Sequence, residues 1–112
     1  MIPHGVEIFL GVEPIDLRWG FDRLAGIVGE RIGRPARSGA LFVFRGRRGD
    51  AIKVLFCDGT GMCVFYKRLD QGTFRWPSAD GLVPGTTGVA IDERELEALL
   101  DGIDVEAPKR SH

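Results

Sequence analysis

The sequence predicts a single α+β domain. Its centre is an antiparallel β-meander of about four strands, with an N-terminal helix packed on one face and a short C-terminal helix after it. Three observations lead there. Residues 41–76 hold four short apolar runs separated by the turn-like segments Gly46–Asp50, Asp58–Gly61 and Leu69–Gly72. Upstream, Leu17, Phe21, Leu24, Val28 and Ile32 recur at helical spacing. Downstream, Asp92 and Glu95 have capping-box spacing ahead of Leu96, Leu99 and Leu100. The 112 residues make one domain with room for a core.

In chain order, Val6–Gly11 reads as a strand, and Glu13-Pro14 ends it. Asp16 is placed to cap a helix running to Ile32, which Gly33 and Pro35 stop. Gly20, Gly26 and Gly29 each weaken that helix by about 1 kcal/mol relative to Ala, so packing on the meander has to hold it. Arg34–Gly39 is a basic loop. The meander strands are Leu41–Arg45, Ala51–Cys57, Met62–Arg68 and Thr73–Trp76. Residues 78–88 form an irregular connection, Val89–Ile91 a brief extended segment, and Glu93–Leu100 a helix that Gly102 closes. Ala107–His112 reads as a frayed tail.

A register follows if Arg45 pairs with Ala51, Cys57 with Met62 and Arg68 with Thr73. Alternation then gathers Phe42, Phe44, Ile52, Val54, Phe56, Cys63, Phe65, Phe74 and Trp76 on a core face interrupted by Lys67. Arg45, Lys53, Tyr66, Arg68 and Arg75 fall on the other face, with Leu41, Val43, Leu55 and Val64 among them. Cys57 and Cys63 fall on opposite faces, which argues against a disulfide between them.

The net charge of −1 conceals a segregation. Residues 1–33 carry three basic and five acidic groups, net −2; residues 34–76 carry nine and three, net +6; residues 77–112 carry three and eight, net −5. A basic block between acidic flanks suits a polyanionic or acidic partner, or neutralisation within the fold. No apolar run approaches the roughly 20 residues of a membrane helix. The first residues lack a signal-peptide pattern, so the expectation is a cytoplasmic protein.

Arg47 and Arg48 sit on the Gly46–Asp50 hairpin tip, where two guanidiniums can grip phosphates or an acidic surface. That tip is not a phosphate-binding loop of the GxxxxGK[ST] type. Cations around Tyr66 suit a nucleic-acid platform, the ring stacking on a base while the cations track phosphates; they equally suit a solvated sheet face. His4 and His112 lie near the ends with no cluster at metal-ligand spacing, so neither a metal nor another cofactor is expected. Asp16, Asp22, Asp50 and Asp58 read as caps and turn residues. Asp50 and Asp58 flank one strand and lie on the order of 25 Å apart, too far to share a catalytic metal.

The runs IDLRWGFDRLAGIV at Ile15–Val28, LFVFRGRRGDAIKVLFCDGTGMCVFYKRLDQGTFRWP at Leu41–Pro77 and LEALLDGID at Leu96–Asp104 resemble the TnpB accessory proteins of the insertion-sequence family numbered sixty-six. Trp19, the Phe56-Cys57 pair and Val105 depart from the family pattern. The resemblance implies a bacterial mobile-element protein needed alongside a separate transposase; a transposase core of the carboxylate-triad type needs a larger domain than these 112 residues, so the chain reads as non-catalytic. Two functions are then in view. One is binding of DNA, such as terminal repeats, or of a transposase–DNA complex through Arg45, Arg47, Arg48, Lys53, Tyr66, Arg68 and Arg75. The other is docking on the transposase or a sibling accessory protein without nucleic acid, with exposed Leu55 and Val64 at the interface.

Overall fold

Both faces of the central sheet are covered, and this decides which polar side chains reach solvent. The computed structural model of the chain describes residues 5–77, 87–101 and 103–104, the last two as backbone. The elements are β1 (Ile8–Gly11), α1 (Phe21–Ile27), β2 (Leu41–Arg45), β3 (Ala51–Cys57), β4 (Met62–Arg68), β5 (Thr73–Phe74), β6 (Gly88–Ile91), α2 (Glu93–Asp101) and β7 (Ile103–Asp104). Five strands form a mixed sheet in the order β4-β3-β2-β1-β6, and β5 pairs with β7 in a separate ribbon.

The hairpins β2–β3 and β3–β4 are antiparallel, as the turn chemistry predicts. β1 lies parallel to β2, with Ile8 opposite Leu41 and Leu10 opposite Val43, and antiparallel to β6 on its other side. A parallel pair needs a crossover, and α1 supplies it. β1 and β2 are therefore inner strands buried on both faces, which suits their unbroken apolar sequences IFL and LFVF. One core joins Phe9, Phe42, Phe44 and Leu55 to Leu24, Ile27 and Val28 of the helical segment. The other joins Ile8, Leu10, Val43, Ile52 and Val54 to Phe74, Leu96 and Leu99.

Several expectations change. The fourth strand is only Thr73–Phe74 and does not extend the meander; it pairs with β7. The β2–β3 register is shifted by one residue, with Arg45 opposite Ile52 rather than Ala51. Gly46 N–H bonds to the Ala51 carbonyl and Gly49, at φ 77°, turns back to Gly46, so the loop is one residue shorter than expected. Phe42 and Phe44 consequently share a face with Lys53, Leu55 and Tyr66. The slip was invisible in the sequence because β2 is apolar on both faces.

The first helix starts at Phe21, not at Asp16, and its final turn, Val28–Ile32, widens to π geometry before Gly33. Asp16 instead closes a turn, accepting the Arg18 N–H. Phe21 is half exposed; Leu24 and Val28 of the expected stripe are buried, and Ile27 is buried beside them. The capping box of α2 forms as predicted: Asp92 Oδ1 accepts the Glu95 N–H at 2.7 Å, and Glu95 Oε1 accepts the Asp92 N–H at 3.1 Å. The two cysteines are unbonded, and the β3–β4 register puts them on opposite faces. Most of the irregular connection, the Gly102 cap and the tail at Ala107–His112 lie outside the described residues. Among the described residues, no helix is long and apolar enough to cross a membrane.

Candidate functional site

Three separate segments meet at the β2–β3 hairpin tip. Ile15 N–H donates to the Arg45 carbonyl at 2.9 Å, and Ile15 bridges Gly46 in the parallel sense. This extends the β1–β2 pairing past Pro14 and lays Asp16–Arg18 beside Arg47 and Arg48. At the far end of the tip, Leu69 N–H donates to the Asp50 carbonyl at 2.7 Å, which brings in the end of β4 and Arg68. Phe74 N–H donates to the Gly49 carbonyl at 2.8 Å and steadies the turn from beneath.

The result is an open cleft of about 440 Å³, walled by Arg18, Arg47, Arg48 and Arg68, with Ile15 and Leu17 at its base and Asp16 and Asp50 inside it. A Cβ on Gly46 would lie 2.6 Å from Leu17 Cδ1, so a larger residue there would displace Leu17 from the cleft. Four guanidiniums against two carboxylates leave the cleft positive. Asp16 is already engaged: Arg18 Nε and a terminal guanidinium nitrogen donate to its two oxygens at 3.0 and 2.7 Å. Those bonds, helped by the Arg47 charge, hold the Asp16 carboxyl well below the usual carboxylate range. Asp16 pushes the Arg18 pKa up in return. The Arg18 side chain is nonetheless 90% exposed, so much of its donor edge faces water.

An exposed strip continues from the cleft along the α1 side of the sheet. Arg68 donates to the Tyr66 hydroxyl at 3.0 Å. Lys53, opposite Tyr66 in the ladder, holds its ammonium 5.7 Å from the ring centroid and donates to the Trp19 carbonyl at 2.9 Å. Arg23 lies over the Trp19 ring at 4.7 Å. Cations and aromatics alternate from Arg23 to the hairpin tip.

Five of the seven sequence-predicted residues, Arg47, Arg48, Lys53, Tyr66 and Arg68, lie on this continuous surface. Arg45 does not. The register shift puts it on the opposite face, where its Nε is buried with no hydrogen-bond partner among the described residues. It reaches the Val12 carbonyl at 3.5 Å and faces the Trp76 ring at 6.0 Å, and burial pulls its pKa down. Arg75 borders a different hollow, with Leu99 and Glu95 of α2. The interface expected at Leu55 and Val64 also loses its motive, because Leu55 is fully buried under α1 and Val64 is half-buried. Arg18 and Trp19 were missed as site residues. The residues they join in the cleft and strip, Arg47, Arg68 and Lys53, are remote in sequence, and the one local signal was Asp16-x-Arg18, an Asx turn after Pro14.

The family model described as IS66 Orf2 like protein matches residues 6–110. The chain belongs to that family, whose members accompany transposition of IS66 insertion sequences as accessory proteins. Among curated relatives, "Uncharacterized protein y4hO" of Sinorhizobium fredii is 42% identical over 113 residues, covering 99% of this chain and 94% of its own length. "Uncharacterized protein y4jC" of the same organism is 31% identical over 108 residues, covering 96% of this chain and 87% of its own. No solved structure matches the chain.

Proposed function

We propose that the chain is a non-catalytic subunit of transposition that binds the phosphate backbone of the element's DNA, alone or with the transposase already bound. The carrying observation is the convergence of Arg18, Arg47, Arg48 and Arg68 from three segments around one open cleft. Guanidiniums suit this task because their planar donor forks match phosphate oxygens. Lys53 extends the track along the sheet. Asp50 and Asp58, at opposite ends of β3, favour a binding role over metal-assisted cleavage.

The test is a mobility-shift titration with terminal-repeat DNA at several salt concentrations. Four to five phosphate contacts give a log–log salt slope of roughly −4. The double variant Arg47→Ala/Arg48→Ala is expected to flatten that slope by about 2 and weaken binding to all sequences alike. Arg75→Ala, outside the cleft, is expected to leave it unchanged. Absence of binding at low salt, together with nuclease-resistant co-purification with the transposase, would replace this reading with direct protein docking.

A further inference from the structure

Resting on the DNA-binding reading, we infer that the site takes unpaired nucleotides, with a base stacked on Tyr66 and its phosphates led into the arginine cleft. Three observations carry this. First, Tyr66 is 46% exposed on β4, the edge strand of the sheet among the described residues. α1 covers the same face only as far as Leu55 and, partly, Val64. Second, the ring is held from two sides. Lys53 sits over it, and Arg68 donates to its hydroxyl. A ring already fixed loses little conformational freedom when a base lands on it. Third, platform and cleft share a residue. Arg68 bonds to Tyr66 and also walls the cleft, and side chains two apart on a strand stand about 6.6 Å from each other on one face. A base and a neighbouring phosphate are thus offered partners side by side.

A duplex keeps its bases stacked inside and cannot use the ring; it can only use the cations. An unpaired strand can use both. An aromatic platform beside a cationic track is the way strands without partners are held, and every base offers a π-face to it.

Anisotropy titrations of a labelled mixed-sequence single strand and of the same sequence as a duplex test this, using the full chain. The single strand is expected to bind at least tenfold more tightly. Tyr66→Ala is expected to weaken the single strand by about five- to a hundredfold and the duplex by much less, while Tyr66→Phe, which keeps the ring, stays near the wild type on both. A thermal melt checks that each variant is folded. Duplex binding equal to or tighter than single-strand binding overturns the inference, as does a Tyr66→Ala loss that is the same for both forms. Binding of both forms that Arg47→Ala/Arg48→Ala weakens and Tyr66→Ala spares leaves the DNA reading standing and removes only this inference. Binding of neither form removes both.

Discussion

Asp58 turns the β3–β4 hairpin with one carboxylate. Its Oδ1 accepts the Thr60 and Gly61 N–H groups at 2.9 and 3.0 Å and the Thr60 hydroxyl at 2.8 Å. These bonds, chiefly those from Thr60, hold its pKa below the ordinary carboxylate value. A carboxylate depressed in the folded state stabilises above its unfolded pKa, and the contribution fades as pH falls through the folded value. Asp58→Ala is therefore expected to lower the melting temperature at pH 7, and the gap to the wild type is expected to close as the solution is acidified below the ordinary carboxylate range. Melting curves across pH check both. Residues of this kind were legible in the sequence because donor and acceptor lie two or three positions apart; so was the Asp92–Glu95 cap. Arg18 was not, since nothing near it in sequence announces Arg47 or Arg68.

Strands β1 and β2 approach closely where Gly11 faces Phe44, and a Cβ on Gly11 would lie 2.7 Å from Phe44 Cδ1. The Phe44 ring is fully buried and has nowhere to go. Gly26 inside α1 has nothing within 4 Å of the corresponding point. The same change should thus act with opposite sign at two elements. Gly11→Ala is expected to cost about 1–3 kcal/mol by overpacking, and Gly26→Ala to stabilise by about 1 kcal/mol through helix propensity. Chemical denaturation of the two variants measures this. Hairpins were readable because glycine and aspartate mark their turns. The parallel β1–β2 pairing was not, because a crossover leaves no mark in either strand beyond a continuous apolar run, and such a run suits a buried helix segment as well.

The molecule is three layers deep, with α1 on one side of the sheet and α2 with the β5–β7 ribbon on the other. Trp19 packs in the first core, and Trp76, whose Nε1 donates to the Gly11 carbonyl at 3.0 Å, packs in the second. Both cores are built on the same inner strands, so neither can melt alone. Single-tryptophan variants, Trp19→Phe and Trp76→Phe, are expected to show denaturation midpoints that coincide with the circular-dichroism transition of the same variant. Separate midpoints within one variant would mean that the layers unfold independently. The charge segregation read from composition also resolves at this scale. Part of the basic block turns inward, with Arg45 against Trp76 and Arg34 over Phe9, while Arg47, Arg48 and Arg68 gather around the hairpin tip.

The place of β1 between β2 and β6 has a consequence for how the chain is made. Both of its neighbours in the sheet are synthesised after it. The β2–β3–β4 hairpins can close from local contacts as soon as they emerge. β1 cannot be satisfied until β2 has arrived, and its outer edge stays open until β6 follows. A strand made before both of its partners is therefore among the last to be locked, and until then the growing chain carries an apolar edge that its own later residues must cover.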